Sequence, residues 1–146
     1  IHNDAIKNFK RAILFASKIG YKLKIFDAFR PSEAQEFLWK KYPNPNFIAP
    51  PSKGSPHSRG VAIDLTLTRR NRAIDMGTSF DDFTEKSYHG NTKIRSIAQK
   101  NRMLLLGIMT AAGWDFYKNE WWHYQLYDSK KWPLLSDKKQ KTGLMI

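Results

Sequence analysis

Residues 55–68 read Ser55-Pro56-His57-Ser58-Arg59-Gly60-Val61-Ala62-Ile63-Asp64-Leu65-Thr66-Leu67-Thr68. The second half, Val61 to Thr68, is a run of aliphatic and β-branched residues and predicts a strand. The first half ends a long loop, 43–60, which holds five of the seven prolines and two glycines. A loop of that length inside a domain is functional or disordered. The stretch therefore sets a histidine, His57, at the loop end and a carboxylate, Asp64, seven residues on inside the strand. A buried carboxylate without a partner is costly. Asp64 either alternates outward with Ala62 and Thr66, or it has a partner. In the second case His57 and Asp64 are two metal ligands, one from the loop and one from the strand.

Working outward, residues 3–19 predict a helix. Asn3 or Asp4 can cap it, Ile6, Phe9, Ile13, Ala16 and Ile19 recur at helical spacing, and Gly20 can stop it. Residues 21–29 predict a strand that turns apolar as it enters the core. Pro31 and Ser32 open a second helix running to about Tyr42, with Ser32 and Gln35 spaced as a capping box. Residues 69–91 are irregular and polar. A long helix is expected over 92–112, with Ile94, Ile97, Ala98, Leu104, Leu105, Ile108 and Met109 apolar and Gly113 as its stop. Short strands are expected around 113–117 and 122–127, and a loose tail after Trp132. Helices and strands mix without regular βαβ alternation, which argues for an α+β fold with a mainly antiparallel sheet flanked by helices.

At 146 residues and 41% hydrophobic content the chain suits one domain with a real core. We expect that domain over 1–132 and a basic tail over 133–146. The absence of cysteine excludes disulfides, thiolate nucleophiles, Cys-type zinc fingers and iron–sulfur clusters. No run of residues is long and apolar enough to predict a membrane span. The N-terminal residues do not read as a signal peptide, and without an initiator methionine the chain reads as a processed form or a fragment. Its 25 Lys and Arg against 13 Asp and Glu give a net charge of +12. Such a charge attracts polyanions in general, but no nucleic-acid-binding signature accompanies it, and no nucleic-acid partner is expected. The densest basic cluster lies near the C-terminus, at Lys130, Lys131, Lys138, Lys139 and Lys141.

A second chemical cluster is Glu120-Trp121-Trp122-His123. A turn at Lys118–Asn119 should leave Glu120 at a strand entrance and His123 inside the strand. Three protein ligands plus one water is the pattern of a catalytic zinc site. His57, Asp64 and His123 can supply the ligands, leaving Glu120 as an unligated base. Arg30 can pair with Glu33 or Asp27, or stabilise an oxyanion. Asp81 and Asp82 can be solvated loop carboxylates, or receive a substrate ammonium.

Taken together, these motifs resemble the LAS metallopeptidases that act on peptidoglycan. Residues 55–64 match the SxHxxGxAxD zinc motif of that group, and residues 120–123 match its ExxH motif. Asp27-Ala28-Phe29-Arg30-Pro31, the extension Asp64 to Thr68, and Met76-Gly77-Thr78-Ser79-Phe80-Asp81 narrow the resemblance to the VanX-type D-alanyl-D-alanine dipeptidases of peptidase family M15. The resemblance runs from about Ile1 to Tyr127. It implies the LAS metallopeptidase fold, a bacterial source with cytoplasm or periplasm both open, and a role in peptidoglycan precursor metabolism. It implies one Zn²⁺ held by His57, Asp64 and His123, and a small dipeptide as substrate. Glu120 then takes a proton from water and passes it to the leaving amine, Arg30 stabilises the oxyanion, Asp81 binds the free amino group, and Ser55 lies near the carboxylate end. In the family a further N-terminal segment contributes tyrosines near the substrate; its absence from this sequence implies either a truncated chain or a shorter branch whose pocket is walled differently. Tyr88-His89 stands where relatives carry two histidines, and His89 is expected to support the pocket loop. A related D,D-carboxypeptidase or L,D-endopeptidase, and a non-catalytic wall-binding domain that keeps the metal, are the alternative readings.

Overall fold

The aliphatic and β-branched run after Gly60 forms a strand buried on both faces from Ala62 to Thr68. The computed structural model, which describes residues 1–145, sets the other elements around it. In chain order they are α1 (Asn3–Lys18), β1 (Lys22–Asp27), α2 (Ser32–Lys41), the central β2 (Ala62–Arg69), β3 (Arg72–Ala73), α3 (Ser96–Ala111), β4 (Asp115–Phe116), β5 (His123–Gln125) and α4 (Asp137–Gln140). The sheet runs β1-β2-β5-β4, β3 also pairs with β2, and each pairing is antiparallel. This is the α+β architecture that the sequence predicts.

Strand periodicity divides β2 between two jobs. Ile63, Leu65 and Leu67 join the core with Ala5, Ala12 and Ala16 of α1 and Leu105, Ile108 and Met109 of α3. Burying one such Leu or Ile contributes roughly 1.5–3 kcal/mol. The alternate set, with Asp64 in it, faces the other way, and Asp64 lines a cavity together with residues of loop 43–60.

Several elements differ from the sequence expectation for identifiable reasons. The buried stripe of α1 is made of small residues, Ala5, Ala12 and Ala16, so Ile13 and Ile19 lie on the exposed side. Its cap is His2, whose Nδ1 accepts the Asp4 amide at 3.2 Å. Strand β1 is an edge strand, which leaves Ile25 exposed rather than in the core. Pro31 caps α2, and no capping box forms because Gln35 turns its side chain inward. Helix α3 starts at Ser96 and not at 92, since Asn91 Oδ1 accepts the Lys93 amide and holds a turn there.

After Trp132 the backbone meets the start of α2 and the His57 turn. Leu135 donates its amide to Ser58 O at 2.8 Å and accepts the Ser32 amide at 3.0 Å. The Glu33 carboxylate accepts the Asp137 amide at 2.9 Å. These contacts satisfy backbone groups at the start of α2 and beside His57, which is why the chain folds back there.

Gly60 is the sharpest backbone requirement in this frame. Its φ is +68°, and a Cβ would lie 3.2 Å from the His2 nitrogen that donates to Gly60 O. Gly60→Ala should lower stability by about 1–2 kcal/mol, read as an earlier urea midpoint with an unchanged slope.

Candidate metal centre

Sheet register brings the polar groups together. Asp64 pairs directly with His123 across β2 and β5. On the other side a bulge between Ile25 and Asp27 inserts one residue, so Asp27 rather than Phe26 sits opposite Asp64. The bulge thereby moves a carboxylate onto this face of the sheet, a common use of such irregularities. His57 comes from the loop. Pro56, with φ −58°, starts a one-turn 3-10 segment over His57–Arg59, and Gly60 ends it by donating to His57 O. Ser55 Oγ accepts the His57 amide at 3.2 Å and holds the turn from its other end.

Both imidazoles have one nitrogen committed away from the centre. His57 Nδ1 donates to Ala28 O at 2.7 Å, and His123 Nε2 donates to Gln125 Oε1 at 3.0 Å. Their remaining nitrogens therefore present lone pairs, His57 Nε2 and His123 Nδ1, only 3.1 Å apart. Asp64 Oδ1 stands 3.2 Å from the first and 3.0 Å from the second. Two facing lone pairs beside a carboxylate repel unless a cation lies among them. The three donor atoms lie within 4.8 Å of one another and all three residues are buried. This donor set, two neutral imidazoles and a carboxylate with each imidazole oriented by a second hydrogen bond, fits a divalent metal.

The surroundings carry the same signature. Burial works to raise the Asp64 carboxyl, but with a proton in place of the cation the charge on His57 and the imidazole hydrogen bonds hold it well below the usual carboxylate range. Glu120 lies 3.8 Å from His123 Nδ1, is buried, and its carboxylate receives no hydrogen bond among the described residues. Burial, with Asp64 and Asp81 nearby, pushes it up to about 8. Asp81 adopts φ +59° and is pushed up to about 6, first by burial and then by the Asp64 charge. Arg30 is held in place by Asp27 Oδ2, which accepts from Nε at 2.8 Å and Nη2 at 2.6 Å, and by Gln35 Oε1 at 2.9 Å. Its Nη2 comes within 3.8 Å of Asp64 Oδ2. Four carboxylates, Asp27, Asp64, Asp81 and Glu120, thus surround one arginine, and the centre is short of positive charge.

All seven predicted site residues, Arg30, Ser55, His57, Asp64, Asp81, Glu120 and His123, line one cavity of about 320 Å³. Phe47, Ile48, Phe83, Tyr117 and Trp122 form apolar parts of its wall. Asp82 is not in that wall; its carbonyl accepts from Ser87 Oγ. Of the two pairings open to Arg30, the Asp27 pair forms, and Glu33 serves α4 instead. His89 is buried against Phe116 and Tyr124, and burial pushes it down to about 4. Sequence reasoning missed Gln35 and Gln125. Gln125 lies two residues from His123 on the same strand face, and that spacing is the signal that could have found it.

Comparison with known proteins agrees with this chemistry. A family model described as Peptidase M15, D-ala-D-ala dipeptidase, matches residues 1–141. The D-alanyl-D-alanine dipeptidase of Escherichia coli (strain K12) is 41% identical over 138 residues, covering 94% of this chain and 72% of the relative. The protein of the same name from Enterococcus faecalis is 36% identical over 139 residues, covering 82% and 69%. That of Enterococcus faecium is 38% identical over 133 residues, covering 77% and 66%.

Two outcomes follow from the geometry. Gln125→Leu removes the acceptor that orients His123 and should weaken divalent-metal binding by about 10–100-fold, measured in competition with a chelator. In metal-free protein, Glu120 binds its proton more tightly folded than unfolded. Its stabilising contribution is full below pH 4.5, its ordinary value, and is lost as pH rises through about 8. Chemical denaturation with chelator present should therefore show Glu120→Gln gaining stability relative to wild type between pH 5 and 8.

Proposed function

Since the chain belongs to the peptidase M15 family of D-alanyl-D-alanine dipeptidases, we propose that it hydrolyses D-alanyl-D-alanine with one zinc ion held by His57, Asp64 and His123. The observation that carries this reading is the pair of imidazole nitrogens facing each other at 3.1 Å beside Asp64. Zinc in such a site supplies Lewis acidity and a water whose pKa falls to about 7.

The chain's own residues divide the remaining work. Glu120 accepts a proton inside the cavity and returns it to the leaving amine nitrogen. A buried carboxylate with a raised pKa is suited to both halves of that transfer, because the ideal acid–base group titrates near the working pH. Arg30 faces the carbonyl oxygen of the scissile bond. Asp27 and Gln35 fix its guanidinium beforehand, so little reorganisation is needed as charge develops. Asp81 pairs with the substrate ammonium, and the substrate's positive charge in turn favours the ionised carboxyl. Ser55 lines the cavity beside His57 and lies toward the carboxylate end of the dipeptide. A cavity of about 320 Å³ is at the small end for ligand pockets and suits a dipeptide. Its apolar wall suits methyl side chains.

The deciding experiment is Glu120→Ala. Turnover of D-alanyl-D-alanine should fall by about 10²–10⁴-fold, while elemental analysis still finds one zinc per chain. Undiminished turnover would remove Glu120 from the reaction, and loss of zinc in this variant would place it among the ligands.

A further inference from the structure

Arg102 is the most buried charged side chain in the protein, 1% exposed, and no carboxylate lies within ion-pair distance of it among the described residues. It projects from α3 and does not line the cavity. Burial pushes it down to about 10, so it stays charged near neutral pH. A charged group in that position is costly unless its donors are used. Here Nε and Nη1 are used on one loop, while Nη2 is buried without a hydrogen-bond partner among the described residues. Nε donates to Met76 O at 2.7 Å, and Nη1 donates to Lys86 O at 2.8 Å and Tyr88 O at 3.1 Å. A single guanidinium thus ties the start of the 76–88 loop to its end.

The apex of that loop is Asp81, whose φ of +59° is uncommon for a residue other than glycine and needs support from its surroundings. Support comes from within the loop. Ser87 Oγ donates to Asp82 O at 2.5 Å and lies 3.2 Å from Thr78 Oγ1. Thr78 Oγ1 in turn accepts from Trp121 Nε1 at 2.8 Å, and the Trp121 ring sits 5.9 Å from the Arg102 guanidinium carbon. Trp121 is the residue next to Glu120. Arg102 is therefore joined both to the loop that presents Asp81 and to the segment that presents Glu120.

We propose that Arg102 is a positioning residue that sets the Asp81 carboxylate for the substrate's amino group, so that preference for a free amino terminus is controlled from α3. The proposal rests on the reading of Asp81 as the ammonium partner. Lysine at 102 keeps the charge but has no planar fork to hold the three carbonyls at once. Ser87→Ala removes the hydroxyl under Asp82 and leaves the carbonyls that Arg102 binds.

The test measures kcat and KM for D-alanyl-D-alanine and for its N-acetylated form in zinc-loaded wild type, Arg102→Lys, Ser87→Ala, Asp81→Asn and the Arg102→Lys/Asp81→Asn double variant. In Arg102→Lys and Ser87→Ala, KM for the free dipeptide should rise by about ten- to a hundredfold, with a smaller change in kcat. The preference for the free over the acetylated dipeptide should fall with it. The double variant should show no lower preference than Asp81→Asn alone. Equal losses on both substrates in Arg102→Lys, or intact preference in Arg102→Lys while Asp81→Asn abolishes it, would overturn the proposal and leave Asp81 in its role, whatever Ser87→Ala shows. Intact preference in Asp81→Asn would instead remove the premise about Asp81, and the proposal with it. If Arg102→Lys does not fold, Arg102→Gln, whose amide can still donate to one of the carbonyls but not to all three, decides by the same criteria.

Discussion

A carboxylate in the middle of a sheet is the constraint on which this structure turns. Asp64 is 2% exposed, on a strand with neighbours on both sides. An isolated ionised carboxylate there would cost several kcal/mol. The fold answers with groups from four separate segments. His123 comes from β5 by register, His57 from the turn between Pro56 and Gly60, and Arg30 from the link between β1 and α2. Asp27, brought opposite Asp64 by the β1 bulge, holds Arg30 in turn. Removing any one of these leaves the others facing like charge or an unpaired polar group. The arrangement is thus a single unit whose cost is recovered only when a cation completes it.

The same cavity pushes its carboxyl groups in opposite directions. Asp64 has two imidazoles and an arginine close by, and it stays ionised far below the ordinary range. Glu120 is a few ångströms from His123, its carboxylate receives no hydrogen bond among the described residues, and it is driven up by burial. Divergent environments for neighbouring acids are a recurrent way of assigning a stable charge to one and proton transfer to the other. The cause lies in the backbone. Asp64 is fixed mid-strand where β5 and the His57 turn converge, whereas Glu120 sits just before β5, where no donor among the described residues reaches its carboxylate.

Much of this was legible before any coordinates. The Val61–Thr68 run predicts the central strand and sets His57 at the end of the loop before it, and the turn expected at Lys118–Asn119 leaves Glu120 at a strand entrance and His123 inside the strand. What was not legible depends on tertiary placement. The apolar periodicity of α1 points to Ile13 and Ile19, yet the fully buried stripe of the helix is Ala5, Ala12 and Ala16, with Phe9 and Phe15 packed at its margin. The bulge in β1 has no signature in Lys22–Asp27, so the Asp27–Asp64 juxtaposition could not be foreseen. Arg102 did carry a signal that went unused. It falls on the buried stripe of α3 with Ala98, Leu105 and Met109, and an arginine in register with such residues demands a buried partner.

Those partners explain how the two halves of the cavity stay in register. Trp121 and Trp122 lie edge to face, 5.3 Å apart. Trp121 turns toward Thr78 and Arg102, while Trp122 meets Phe80, which stacks on Phe26 of β1. The residue before this tryptophan pair is Glu120 and the residue after it is His123. The residue after Phe80 is Asp81. The distance between the proposed ammonium partner and the proton-transfer group is therefore set by packed aromatic rings and by carbonyls held on one guanidinium. Rings in van der Waals contact resist small displacements. A site built of mutually repelling carboxylates needs that stiffness, because its charges alone would drive the loops apart.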